Sequence, residues 1–114
     1  MIMEITASRE GNTVLLKLAG RMDALTVAKF EENALRLPQD NENSGIVIDF
    51  LDLEYISSAG LRGLLKLAKG CRSANKKLAC CNLKQDVAEV FRISGFNMVI
   101  KLCASLDEAL TAVK

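Results

Sequence analysis

The chain of 114 residues contains no histidine, no tryptophan, one tyrosine and one proline. Without histidine the commonest general base is absent, and neither a Ser/His/Asp nor a Cys/His triad can be assembled. The scarcity of aromatic side chains argues against recognition of bases or sugars by stacking. The composition therefore excludes the common triad hydrolases and gives little support to a stacking ligand site.

The chain also has no excess of charge of one sign. It contains 15 lysines and arginines and 14 aspartates and glutamates, which give a net charge of +1. A nearly neutral chain lacks the excess of positive charge that is typical of nucleic-acid-binding proteins, so we expect no nucleic acid partner. No apolar run approaches the length of a membrane span, and the N-terminus lacks the layout of a signal peptide. We expect one domain over residues 1–114, cytoplasmic and without direct membrane insertion.

Cysteine is present, but its spacing is not that of a metal site. The four cysteines are Cys71, Cys80, Cys81 and Cys103. Because the chain has no histidine and no C-x-x-C pair, we expect no zinc, and the sequence predicts no other metal and no cofactor. The simplest interpretation is four reduced thiols, some of them in the core of a cytosolic protein.

Hydrophobic periodicity divides the chain into alternating strands and helices. It predicts strands at residues 2–7, 13–18, 46–51, 78–81 and 98–103. Residues at helical spacing, nearly all of them apolar, predict four helices. The first two are marked by Val27, Phe30, Ala34 and Leu37 and by Leu61, Leu64, Leu65, Ala68 and Cys71. The last two are marked by Val87, Val90, Phe91 and Ser94 and by Leu106, Ala109, Leu110 and Val113. The order β-β-α-β-α-β-α-β-α predicts an α/β fold, with a mixed, mainly parallel sheet of about five strands packed with about four helices.

Turn and capping residues predict where these elements end. A turn at residues 10–12 makes the first two strands a hairpin, and residues 20–23 are predicted as a loop. Pro38 ends the first helix, Asn75 the second and Gly95 the third. Ser105 begins a capping box before the last helix. Asp49 interrupts the most apolar strand, so we expect it near a strand end or paired.

Residues 52–62 join the most apolar strand to the second helix and contain adjacent hydroxyls, Ser57 and Ser58. The residues alone favour a helix cap, because serine is a preferred capping residue. The alternative is phosphorylation, since a helix N-terminus tolerates a phosphate well. Gly60 either allows a tight turn or lets a partner approach the backbone.

Two further features accompany this junction. Asp23 either caps the first helix or belongs to a polar patch beside the serines, because loops after parallel strands gather on one edge of a sheet. The second helix carries a basic face of Arg62, Lys66, Lys69 and Arg72. That face is either solvated or meets an acidic partner.

The order of these motifs resembles the STAS domain of the anti-sigma-factor antagonist family. Residues 20–26, Gly-Arg-Met-Asp-Ala-Leu-Thr, are similar to the family's first loop, G-x-L-D-A-x-T. Residues 52–61, Asp-Leu-Glu-Tyr-Ile-Ser-Ser-Ala-Gly-Leu, resemble its central motif, D-L-x-x-h-D-S-S/T-G-L, in which h is apolar. Residues 87–96 resemble the late helix and its closing glycine. The resemblance spans nearly the whole chain.

The resemblance implies a phosphoacceptor serine two positions before the glycine, which is Ser58 here. Ser57 stands where the family usually has an aspartate and is an alternative acceptor, and Ala59 replaces the usual second hydroxyl. The partner-binding residues that the resemblance and the surrounding pattern suggest are Asp23, Thr26, Ser57, Ser58, Ala59, Gly60, Leu61, Arg62 and Lys66.

The function that the resemblance implies is a partner switch. The unphosphorylated antagonist binds an anti-sigma factor that is also a GHKL-type serine kinase, phosphorylation releases it, and a PP2C-type phosphatase restores binding. A chain of this kind is a substrate and binding module, so we expect no enzyme activity. Two alternatives are a free-standing STAS subunit of a membrane transport complex and a sensor of nucleotide or lipid.

Overall fold

Strands and helices follow one another in the predicted order in the computed structural model, which describes residues 2–114. The strands are β1 Met3–Glu10, β2 Thr13–Met22, β3 Gly45–Ile56, β4 Lys77–Cys81 and β5 Lys101–Cys103. The helices are α1 Val27–Ala34, α2 Ser58–Ser73, α3 Gln85–Ser94 and α4 Leu106–Ala112. Short 3₁₀ turns lie at Leu37–Gln39 and Phe96–Met98. The predicted fold class is confirmed.

The five strands form one sheet in the order β1-β2-β3-β4-β5. The hairpin strands β1 and β2 are antiparallel, and every other neighbouring pair is parallel. One face of the sheet packs on α1, α2 and α3 through Phe30, Leu64 and Phe91, and the other face packs on α4 through Ala109 and Val113. Residues 46–50 of β3 are buried because both faces are covered, as their continuous apolar sequence predicts.

The prediction was wrong at the ends of β2 and β3, which both run further than periodicity indicated. Residues 20–22 belong to β2 instead of a loop, and β3 continues five residues beyond Leu51. The register with β2 gives β3 an extra residue at two points, which are bulges. The inward residues in the second half of β3 are therefore Phe50, Leu53 and Ile56. Their spacing of three residues differs from the spacing of two that is typical of a regular strand.

Smaller differences concern the helices and the last strand. Helix α1 stops at Ala34, and Leu37 lies in the 3₁₀ turn that contains Pro38. The prediction placed Leu65 in the core stripe of α2, but Leu67 is fully buried there and Leu65 is only half-buried. The last strand is confined to residues 101–103, because residues 96–98 close into a turn after α3.

The predicted helix ends and the buried aspartate match the structure in part. Asn75 and Gly95 follow α2 and α3 in the left-handed conformation, with φ of 59° and 80°. Asp49 is buried within β3, away from its ends, and its Oδ1 accepts hydrogen bonds from the Leu51 N–H at 3.0 Å and from Asn82 Nδ2 at 3.1 Å. Of the two expectations for Asp49, a place near a strand end or a paired side chain, the second is therefore confirmed.

The four cysteines are free thiols, and all four are buried. Cys80 contributes to the core under α1–α3, and Cys81 and Cys103 contribute to the core under α4. The expectation of reduced thiols, some in the core, is met. Among residues 2–114, no helix has both the length and the apolar character needed to cross a membrane.

Candidate functional site

The candidate site begins where β2 and β3 end side by side. Met22 and Ile56 are paired across the two parallel strands, and the Ser57 N–H donates to the Met22 carbonyl oxygen at 2.9 Å. Asp23 follows β2 directly and Ser57 follows β3 directly. The two loops predicted to share one edge of the sheet are therefore adjacent, because this hydrogen bond joins the last residue of β2 to the first residue after β3.

Ser57 is the N-cap of α2. Its backbone is extended, with φ of −97° and ψ of 176°, and its Oγ accepts a hydrogen bond from the Gly60 N–H at 3.3 Å. The Ser57 carbonyl also accepts the first helical bond, from the Leu61 N–H at 2.9 Å. The cap interpretation of the serine pair thus applies to Ser57, which is half-buried and uses its hydroxyl within the fold.

Ser58 is the first residue of α2 and has a different environment. Its side chain is exposed, and its hydroxyl has no hydrogen-bond partner among residues 2–114. It lies at the positive end of the helix dipole, beside backbone N–H groups that have no partner inside the helix. A group attached to this oxygen would project into solvent and would leave the cap at Ser57 in place.

Gly60 is buried and holds α2 close to the end of β2. A Cβ atom at this position would lie 2.8 Å from the Met22 carbonyl oxygen and 2.8 Å from Cγ1 of Ile56. The φ of Gly60 is not positive, so the residue is not needed for a left-handed turn. Its lack of a side chain permits a close helix–strand approach, which fixes the position of the serines.

Asp23 and Thr26 form a closed turn before α1. Asp23 Oδ1 accepts hydrogen bonds from the N–H groups of Leu25 at 3.0 Å and Thr26 at 3.2 Å. In return, Thr26 Oγ1 accepts from the Asp23 N–H at 2.9 Å and donates to the Arg21 carbonyl at 2.8 Å. Both side chains are therefore occupied in shaping this loop. The N-cap of α1 is Thr26, and no side chain among residues 2–114 caps this helix, so the interpretation of Asp23 as its cap was wrong. Asp23 belongs instead to the loop at the sheet edge beside Ser57.

The turn presents an apolar residue that sequence reasoning missed. Leu25 is 92% exposed, although it lies between the ordered side chains of Asp23 and Thr26. An exposed leucine held on a fixed turn is suited to anchor a partner, because burial of such a side chain contributes about 1.5–3 kcal/mol. The alternating apolar pattern could not identify it, since it lies between two regular elements.

Arg21 and Tyr55 link the two strand ends across the sheet and were also missed. They are register partners, the Arg21 guanidinium lies 4.0 Å from the centre of the Tyr55 ring, and Arg21 Nε is 3.9 Å from Asp23 Oδ2. This cation–π contact connects the Asp23 turn to the strand that leads into Ser57. Their pairing depends on the bulges in β3, so no spacing in the sequence indicates it.

The basic face of α2 begins one turn after Ser58. Arg62 and Lys69 are exposed and make no ion pair with any residue in the range 2–114. Lys66 is exposed too, but its Nζ lies 3.0 Å from Glu31 Oε2 on α1. Of the suggested partner-binding residues, Ser58, Arg62 and Lys66 are exposed, Asp23, Thr26, Ser57 and Ala59 are half-buried, and Gly60 and Leu61 are buried.

Comparisons with known proteins agree on one family. The model of the STAS domain matches residues 4–109. A Bordetella bronchiseptica protein named "Putative anti-sigma factor antagonist BtrV" is 34% identical over 112 residues, which cover 98% of this chain and 96% of that protein.

Solved structures of low sequence identity share the fold. An anti-sigma factor antagonist from Mycobacterium paratuberculosis superposes with a TM-score of 0.88 at 20% identity, covering 97% of this chain and 93% of that one. The Bacillus cell fate determinant SpoIIAA in the phosphorylated form superposes with a TM-score of 0.76 at 19% identity, covering 97% and 100%.

Proposed function

This chain belongs to the STAS domain family, and on that premise we propose that it is an anti-sigma factor antagonist controlled by serine phosphorylation. Unphosphorylated, it binds an anti-sigma factor that is also a GHKL-type serine kinase. The kinase transfers a phosphoryl group from ATP to Ser58, the complex separates, and a PP2C-type phosphatase restores binding. The chain itself is a binding module and kinase substrate in the cytoplasm, with no catalytic residue.

The observation that carries the proposal is the exposed hydroxyl of Ser58, which has no hydrogen-bond partner in the described part of the chain and lies beside the Asp23 turn. A kinase needs a serine oxygen that it can reach without unfolding its substrate. Ser58 meets that condition, whereas the Ser57 oxygen already accepts the Gly60 N–H. This difference favours Ser58 over the alternative Ser57, because phosphorylation of Ser57 would remove a helix cap.

Physical chemistry supports a switch that acts on binding and leaves the fold intact. A phosphate adds nearly two negative charges and three acceptor oxygens, and the start of α2 favours negative charge. A partner packed on Ser58 and Leu25 would instead meet a bulky dianion that it must desolvate. Loss of about 3 kcal/mol of binding free energy would weaken the complex by about two orders of magnitude.

The test is phosphorylation by a GHKL-type anti-sigma factor kinase from the same organism, with ATP and site mapping by mass spectrometry. We expect phosphate on Ser58, none in Ser58→Ala, and retained phosphorylation in the matched variant Ser57→Ala. Ser58→Ala should bind the kinase in the presence of ATP as tightly as in its absence, and Ser58→Asp should bind poorly. Phosphate on Ser57 alone would overturn the assignment, and co-purification with an ABC-type ATPase would favour a transport complex.

A further inference from the structure

A groove lies between the end of β3 and helix α3, beside Ser58, the proposed phosphorylation switch. Its lining consists of Glu54, Tyr55, Ile56, Asp86, Val87 and Val90, and its volume is about 270 Å³. Ile56 and Val87 at its floor are buried, while Tyr55 and Val90 are 40% and 36% exposed. A space of this size takes one or two apolar side chains of another molecule.

The groove continues along α3 as an exposed apolar stripe. Val90 lies four residues after Asp86 and Ile93 three residues after Val90, so the three share one side of the helix. Ile93 is 76% exposed. Val87 and Phe91 supply the buried contacts of α3 and leave Val90, which marks the predicted helix together with them, on the outward side. A helix of ten residues spans about 15 Å, which sets the length of this surface.

The charges that line the groove are negative. Glu54 and Asp86 are exposed and take part in no ion pair with any residue in the range 2–114. Three nearby cations have other partners. Arg21 lies over the Tyr55 ring and points to Asp23, and Arg92 pairs with Glu89. Lys84, the N-cap residue of α3, donates to the carbonyl oxygens of Leu51 and Leu53. An apolar floor with two unpaired carboxylates is complementary to an apolar segment that carries lysine or arginine.

The groove is also continuous with the switch. Tyr55 and Ile56 lie in the groove and directly precede Ser57 and Ser58 in the chain. A partner that covers Ser58 therefore lies close to Ile56, at the near end of the groove.

We propose that this groove binds an amphipathic helix of the partner protein. The partner helix places apolar side chains against Val90, Ile93 and Ile56, and places a lysine or arginine between Glu54 and Asp86. Apolar residues at helical spacing on α3 favour a helical partner, because ridges of one helix fit the grooves of another. That this partner is the anti-sigma factor rests on the proposed function. The apolar and acidic character of the groove is independent of that proposal.

The groove can be tested without the kinase, by titrating ¹⁵N-labelled protein with two stapled helical peptides of about 14 residues. Both carry leucines at helical spacing, and one has two lysines at its end where the other has two glutamates. We expect the lysine peptide to shift the amides of residues 54–56 and 86–93 and to bind about fivefold more tightly, because each exposed ion pair contributes modestly. The double variant Glu54→Lys/Asp86→Lys should instead bind the glutamate peptide more tightly than the lysine peptide. Equal binding of both peptides, or shifts elsewhere, would overturn the proposal.

A second measurement examines the groove in the complex. Val90→Asp and Ile93→Asp change exposed helix positions, so circular dichroism should confirm intact folds. Each should weaken binding of the GHKL-type kinase by about tenfold, since each removes an apolar contact and adds a charge. The matched control is Met98→Asp, which is 86% exposed in the turn beyond α3. Unchanged kinase affinity in the α3 variants would refute the groove and leave the switch standing, while absence of any kinase binding by the unaltered chain would refute the switch alone.

Discussion

Ser57 and Ser58 are neighbours in the chain, but their oxygens have different surroundings. The Ser57 oxygen accepts the Gly60 N–H, while the Ser58 oxygen faces solvent. The sequence could treat them only as a pair, because either residue fits the pattern of a helix cap. Their separation into a capping role and a proposed regulatory role follows from where the helix begins, because Ser57 is still extended and Ser58 is the first residue of α2.

Replacing each serine by alanine should distinguish the two roles, because the two variants should differ in the free energy of unfolding. Ser57→Ala should lower the free energy of unfolding by about 1 kcal/mol, because an N-cap acceptor is lost. Ser58→Ala should change it by less than about 0.5 kcal/mol, as is usual for an exposed position. Urea unfolding followed by circular dichroism measures both values. An equal loss in the two variants would contradict the assignment of the cap to Ser57.

At the scale of elements, α2 carries both the proposed switch and a basic face. Gly60 and Gly63 allow its first two turns to approach the strands and α1, with a Cβ at Gly63 meeting Val27 Cγ2 at 2.7 Å. The outward side presents Ser58 and, one turn later, Arg62. Residues four apart in a helix are neighbours, so a phosphate on Ser58 and the Arg62 guanidinium are placed for an ion pair.

We expect phosphorylation of Ser58 to stabilise the isolated protein by about 0.5–1 kcal/mol, through the helix dipole. In Arg62→Gln this gain should shrink by about 0.3–0.5 kcal/mol, which is the usual contribution of such a pair. Arg72→Gln, at the far end of α2, is the matched control and should retain the full gain. Urea unfolding of the phosphorylated and unphosphorylated forms gives the difference. A phosphorylated form less stable than the unmodified chain would contradict the expected role of the helix terminus.

Across the whole molecule, helices cover both faces of the sheet at the central strand β3, and the thiols lie inside. Burial raises the pKa of Cys71 to about 11 from its ordinary value of 9.0, and nearby Lys76 partly opposes this. Burial, together with the carboxylate of Asp49, raises the pKa of Cys81 to about 12. The neutral thiol is therefore favoured in the folded protein more than in the unfolded chain.

These shifts predict how stability depends on pH. Since the folded pKa of Cys71 is raised, its contribution to the free energy of unfolding is fully present below pH 9 and is lost as pH rises toward 11. Urea unfolding between pH 8 and 11 should show this decline, with a smaller slope in Cys71→Ala. Iodoacetamide at pH 8 should leave the thiols of the folded protein unmodified and alkylate all four in urea. Rapid alkylation of the folded protein would contradict the burial of the thiols.

The pattern of apolar residues predicted the order of elements because helix and strand periods are local properties. Asn75 and Gly95 could be placed for the same reason, since a left-handed residue after a helix depends on its own φ. The ends of β2 and β3 could not be predicted, because bulges are defined by the register between two strands. Helical spacing placed Val90 in α3 together with Val87 and Phe91, but it could not say which side of the helix the sheet covers.

The sequence by itself determined the α/β order, the presence of a serine cap at the start of α2, and the motif by which the family is identified. Tertiary structure alone decided that the Asp23 turn and the serines adjoin, that Arg21 lies over Tyr55, and that an acidic groove opens beside Ser58. The reason is physical. Caps and periodicity depend on residues a few positions apart, whereas these contacts depend on strands that meet only when the sheet forms.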